Sequence, residues 1–243
     1  MCASTNVWES PREASLEVHL LGLVDFDASL YLQDRLANEL AGRNDGRGAL
    51  LVCEHPSLIT VGREGSREHI LCAPEELRAR GMEVRWISRG GGCIVHVPGQ
   101  LALYPVLPLD RRGLGLGEFR SRVEQAVVDA CGELRIAAEV DPEHPGVFAR
   151  GGQVAFFGAA VRSWISSHGV FVNVNPRMDA IKLVRSGTQR VTSLAAERRT
   201  PLSMGSVRES LIRHLAARLD YPRYHLFTGH PLLRRTRRVV AYA

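Results

Sequence analysis

The 243-residue chain is 45% apolar and carries a formal net charge of +5, enough apolar mass to bury a full core and too modest a charge to suggest nucleic acid as a partner. No apolar run approaches the roughly 18 to 20 residues that span a bilayer, and MCASTNVWESPREA has no hydrophobic signal core, so a cytoplasmic, soluble chain is expected. The five cysteines, Cys2, Cys53, Cys72, Cys93 and Cys131, are odd in number and form no C-x-x-C pair, which fits a reducing compartment.

In chain order, residues 1–14 read as a loose polar extension and 15–243 as one α/β domain. Leu16, Val18 and Leu20 alternate with polar residues as a half-buried strand. Asp27 is the predicted N-cap of a helix carrying Leu32, Leu36 and Leu40 on one face, which the GRNDGRG segment ends. The apolar run Ala49 to Cys53 predicts a central strand, and Leu58 to Val61 continues that sheet after a break at His55-Pro56. Further strands are expected over 82–87 and 101–104. A helix with Phe119, Val123, Ala126, Val127, Ala130 and Leu134 on one face follows.

After a break at DPEHPG, Asp141 to Gly146, strands over 147–149 and 153–157 pair around Arg150-Gly151-Gly152. A strand over 169–175 sends Val170, Val172 and Val174 to one side. Ser206 and Glu209 form a predicted capping box for a helix with Val207, Leu211, Leu215 and Leu219 in one stripe. Arg234, Arg235, Arg237 and Arg238 make a basic tail, read as a solvated run that would attract acidic protein partners.

The stretch that reads as a site is RGGGCIVHVPGQLALYP, Arg89 to Pro105, where a glycine run, one histidine and a Pro-Gly turn lie between two strand candidates. Gly90, Gly91 and Gly92 let a ligand approach backbone N–H groups, which can bond a carbonyl or an anion. Taken alone, they fit a structural hairpin loop equally well. Strand alternation puts Ile94 and His96 on one side and Cys93 and Val95 on the other, so Cys93 reads as a buried spectator rather than a nucleophile.

Arg89, Gly90, Gly91, His96, Pro98, Gly99, Gln100, Tyr104 and Pro105 together resemble the signature of the octanoyltransferases of lipoate biosynthesis. The resemblance runs from about His55 to Leu194 through HPSLITVGREGSREHIL, GVFARGGQVAFFG, SSHGVFVNVN and TSL. It implies an α/β (α+β) fold with a mixed central sheet and flanking helices, like the catalytic domain of biotin and lipoate protein ligases. It also implies a monomer without metal or cofactor, and transfer of an octanoyl group from acyl carrier protein to a lysine of a lipoyl domain. Substrate contacts carried over residue by residue fall on Arg89, Gly90, Gly91, Gly92, Cys93, Ile94, Val95, His96, Phe156, Phe157, Gly158, Gly169, Val170 and Phe171.

Two positions depart from that family. Ser186 stands where the family has its nucleophilic cysteine, and Gln153 stands where it has the lysine that lowers the cysteine's pKa. A serine hydroxyl is un-ionised at neutral pH and needs a base, for which His168 or His96 are the sequence candidates. Gln153 is neutral and cannot favour an anion electrostatically. Three readings follow: an octanoyltransferase working through Ser186, a catalytically reduced paralogue that binds an acyl group or its carrier, and an ATP-dependent lipoate or biotin ligase.

Overall fold

The structure is a computed structural model that describes residues 14–185, 190–198, 200 and 202–233. Its frame is an eight-stranded mixed sheet built from β1 (Ser15–Leu23), β2 (Gly48–Glu54), β6 (Gln100–Val106), β7 (Ala138–Val140), β8 (Gly146–Ala149), β9 (Gly152–Arg162), β10 (Ile165–Asn173) and β11 (Arg223–Thr228). The spatial order is β11-β1-β2-β6-β10-β9-β8-β7. The first three strands run parallel and the later neighbours pair antiparallel. A smaller sheet holds β3 (Leu58–Val61) between β4 (Glu83–Trp86) and β5 (Cys93–His96).

Burial on both faces explains why β2 and β6 are apolar nearly throughout. On one face Leu16, Val18, Leu50, Val52, Leu101, Leu103, Val170 and Val172 pack against α3 (Leu116–Glu133), Leu194 of α5 (Leu194–Arg198) and α6 (Met204–Arg218). The intervening residues Leu51, Cys53, Ala102, Tyr104 and Phe171 turn to the other face, where Leu32, Leu36 and Leu40 of α1 (Phe26–Ala41) cover them. The small sheet has its own core of Ile59, Val61, Cys93, Val95 and Val97, closed by Leu77 of α2 (Pro74–Ala79) and Ile181 of α4 (Met178–Ile181). Among the described residues no helix is long and apolar enough to cross a membrane.

Several sequence expectations are corrected. The cap of α1 is Asp25, whose side chain accepts from Ala28 N at 3.1 Å, while Asp27 lies inside the first turn. Helix α6 likewise begins one turn earlier than the Ser206 capping box, at Ser203, because Met204 and Gly205 already adopt helical geometry. Leu58 to Val61 does not continue the main sheet: beyond His55-Pro56 the chain leaves it and pairs with β4 and β5 instead. The β9–β10 hairpin turns at Ser163 and Trp164, both with positive φ (50° and 62°) and neither a glycine, so β9 runs to Arg162 and β10 starts at Ile165. The residues 1–13 and the arginines from 234 onward lie outside the described residues.

Candidate active site

Three glycine-bearing segments meet where the two sheets adjoin. Gly90 donates its N–H to Ala159 O at 2.9 Å, joining the glycine run to β9, and Gly158 pairs with Gly169 across β9 and β10. Two close approaches require the missing side chains. A Cβ on Gly158 would fall 2.8 Å from Gly90 O, and one on Gly169 would fall 2.3 Å from Leu103 O.

Beside this seam lies a cavity of about 270 Å³. Its walls are Gly91, Gly92, Cys93 and Ile94 from the glycine run, with Gln153, Phe156 and Phe157 from β9. Glu64 and His69 from the loop after β3, His144 and Pro145 from the loop before β8, and Arg185 complete it. Gly90, Val95, Gly158, Gly169, Val170 and Phe171 stand behind or beside that lining rather than in it, as do Arg89 and His96. Ser186, next to the wall residue Arg185, lies outside the described residues.

Arg89 and His96 belong to a buried polar chain behind the cavity. Arg89 is fully buried and donates to Thr60 O at 3.0 Å, Thr60 Oγ1 at 2.8 Å and Gly90 O at 2.8 Å. Burial pulls its guanidinium down to about 10, so it stays charged at neutral pH. Thr60 Oγ1 meets His96 Nε2 at 2.9 Å, and His96 Nδ1 meets Gln100 Oε1 at 3.1 Å. An amide oxygen only accepts, so Nδ1 carries the proton and His96 is neutral, receiving the Thr60 hydroxyl at Nε2. Gln100 Nε2 then donates to Asn173 Oδ1 at 2.9 Å, and Asn173 Nδ2 to Thr192 O at 3.1 Å.

The sequence candidates for a base fare poorly on this geometry. Burial, then the neighbouring His55 and Arg89 charges, push His96 well below the usual histidine range, and both its nitrogens are engaged. His168 is buried against Gln33 of α1 and pulled to about 4 by burial, then by Arg89 and Arg63. Neither reaches the cavity lining. His55, at the break after β2, is buried between Val24 O (2.8 Å) and the Tyr104 hydroxyl (2.7 Å).

Gln153 is 4% exposed, and its Nε2 donates to Pro145 O at 3.0 Å and Ala155 O at 3.1 Å. The carboxamide therefore fastens β9 to the loop carrying His144. The Cys93 thiol touches Ser66 O at 3.5 Å, and burial raises its pKa, which leaves it a poor nucleophile. Sequence reasoning missed Glu64, His69 and His144. The first two lie inside the resemblance segment HPSLITVGREGSREHIL without standing out in it, and the only local signal for the third is the short spacing Asp141-x-x-His144. Among the described residues no group of three His, Cys, Asp or Glu side chains is placed to hold a metal ion.

A mixed sheet flanked by helices is the fold this chain shares with solved lipoate protein ligases. The lipoyl protein ligase A/B catalytic domain family matches residues 25–216. The octanoyltransferase of Geobacter metallireducens is 33% identical over 87% of this chain and 97% of its own length, and that of Chloroflexus aggregans 34% identical over 85% and 96%. Among solved structures, a bi-partite lipoate protein ligase from Thermoplasma acidophilum, described with its E2 lipoyl domain, superposes with a TM-score of 0.69 at 16% identity, covering 89% of this chain and 87% of that one. The chain belongs to the lipoyl protein ligase A/B catalytic-domain family, within its octanoyltransferases.

Proposed function

We propose that the protein transfers an octanoyl group from acyl carrier protein to the lysine of a lipoyl domain, a reading supported by relatives named octanoyltransferases. The observation that carries this reading is the cavity of about 270 Å³ between the glycine run and Phe156–Phe157, close to the lower end of the roughly 300–1,000 Å³ of small-molecule pockets. That volume suits a medium-length acyl chain. The buried Arg89 cation behind the glycine wall contributes a positive charge that favours the oxyanion formed when a thioester carbonyl is attacked, opposed by the Glu64 carboxylate on the cavity wall, which accepts from Gly91 N at 3.0 Å. Arg89, Gly90, Gly91, Gly92, Cys93, Ile94, Val95, His96, Phe156, Phe157, Gly158, Gly169, Val170 and Phe171 serve as the substrate-binding shell, those behind the lining by holding it.

A second reading is favoured by Gln153. Its neutral carboxamide is engaged with Pro145 O and Ala155 O, so it supplies no charge to activate a nucleophile, as expected of a paralogue that binds an acylated carrier without turnover. The same neutrality disfavours an ATP-dependent ligase, which needs a cation there to hold carboxylate and phosphate. Incubation with octanoyl-acyl carrier protein and apo lipoyl domain, read by intact mass, separates the three. Octanoyl gain on the lipoyl domain is the expected result, carrier binding without mass change belongs to the second reading, and ATP-dependent modification by free fatty acid belongs to the third.

A further inference from the structure

Two histidines line the cavity, and their hydrogen bonds assign them different tautomers. His69 Nδ1 accepts the N–H of Ser66 at 3.2 Å, so its proton sits on Nε2 and its lone pair is already used. His144 is arranged the other way: Nδ1 meets Asp141 Oδ2 at 2.9 Å, and a carboxylate can only accept. The proton is therefore on Nδ1, which leaves the lone pair of Nε2 without a hydrogen-bond partner among the described residues, on a side chain that lines the cavity and is 40% exposed.

The loop holding this pair is fixed from three directions. Asp141 Oδ1 accepts from Glu143 N at 2.8 Å and from His144 N at 3.3 Å, which closes the turn on itself. From α3, Arg120 donates to Asp141 O at 3.2 Å and Glu124 receives Gly146 N at 2.7 Å. From β9, Gln153 donates to Pro145 O at 3.0 Å. An imidazole held by a carboxylate at one nitrogen and open at the other is the base-and-orienter pair of acyl-transfer catalysts.

We propose that His144, oriented by Asp141, is the general base of acyl transfer in this protein and acts on the acceptor amine directly. The inference rests on the acyltransferase reading above. The neutral amine nitrogen attacks the thioester carbonyl and forms the C–N bond, and its proton passes to His144 Nε2. As the tetrahedral species collapses the C–S bond breaks, the sulfur leaves with the electron pair, and His144 returns the proton to it, giving amide and free thiol. No acyl-enzyme is required, so the missing cysteine and lysine do not stop the reaction. Asp141 is a positioning residue.

The test uses the full chain with octanoyl-acyl carrier protein and an apo lipoyl domain, following transfer by intact mass and carrier binding separately. His144→Gln should lower kcat by about 100-fold or more with carrier binding unchanged, which is the range of general-base catalysis. Added imidazole should restore part of the activity of His144→Ala, an outcome that a folding defect does not produce. Asp141→Asn, which keeps the histidine, should lower kcat and shift the acid limb of the kcat/KM–pH profile. Charged and titratable groups surround His144: Asp141 and Glu143 beside it, Glu64, His69 and Arg185 in the same cavity lining, and Arg120 and Glu124 bonded to its loop from α3. His225→Gln, on the distant exposed β11, is the control and should leave transfer unchanged. An active wild type whose rate and pH profile survive His144→Gln overturns the inference alone, as does an accumulating acyl-enzyme. A wild type that transfers nothing overturns the acyltransferase reading, and the inference with it.

Discussion

Gln153 shows how one side chain decides what a cavity can do: it lines the wall as a neutral carboxamide bonded to Pro145 O and Ala155 O. The resemblance sets a lysine there and a cysteine at Ser186, and the two changes should couple, since a thiol gains nucleophilicity as thiolate and the lysine acts only where a thiol is present. Converting Ser186→Cys and Gln153→Lys together should raise octanoyl transfer well above either single change and produce an octanoyl thioester on the protein that hydroxylamine removes. Single changes matching the pair would show that the two positions do not cooperate. His55 and His168 are both pulled by burial to about 4. A free histidine titrates near about 6.5, so between about pH 6.5 and pH 4 the unfolded chain holds more protons than the folded one, and stability falls as pH drops through that window. The loss should be on the order of 3 kcal/mol per imidazole at the acid end. Urea midpoints at pH 7, 5.5 and 4.5 measure it, and His55→Gln should flatten the slope; equal midpoints at all three values would contradict the burial argument.

At the scale of elements, the two caps can be told apart by stability. Asp25→Ala removes the acceptor for Ala28 N and should cost about 1 kcal/mol, whereas Asp27→Ala should change little, because its contact with Arg85 at 3.3 Å is an exposed ion pair. Equal losses by chemical denaturation would restore Asp27 as the cap. Asp25 and Asp27 also show why the sequence was legible to within a turn and no further: both are good capping residues, and only the position of Phe26 at the start of the buried stripe decides between them. The strands with alternating or continuous burial, β2, β6, β8 and β10, announced themselves in the pattern of Leu50, Leu103, Val147 and Val170. β11 did not, since all six of its residues are exposed and no face repeats. Of the site, the glycine run and Phe156–Phe157 were legible through motif resemblance. His144 was not: its bond to Asp141 is local, but the place of that loop at the cavity is set only when Gln153 of β9 bonds Pro145 O.

For the whole molecule, the cavity sits between two sheets with separate cores, Ile94 belonging to one and Cys93 to the other. An acyl chain seated there touches both and should stabilise the fold as a unit. Octanoyl-pantetheine at about 100 times its Kd should add about 2.7 kcal/mol and raise Tm by roughly 5–10 °C. The hexadecanoyl analogue should give far less, since about 270 Å³ does not hold so long a chain. Calorimetry with both ligands decides it, and equal shifts would place the binding elsewhere. The sheet order carries one more consequence. Ser15 of the first described strand pairs with Arg223 of the last, with β1 inserted between β11 and β2. During synthesis β1 leaves the ribosome before every other described strand of its sheet, yet its outer hydrogen-bonding edge stays vacant until Arg223–Thr228 has been made. Nascent chains halted before residue 223 should therefore be the species that chaperones bind, and release should coincide with the arrival of the last strand.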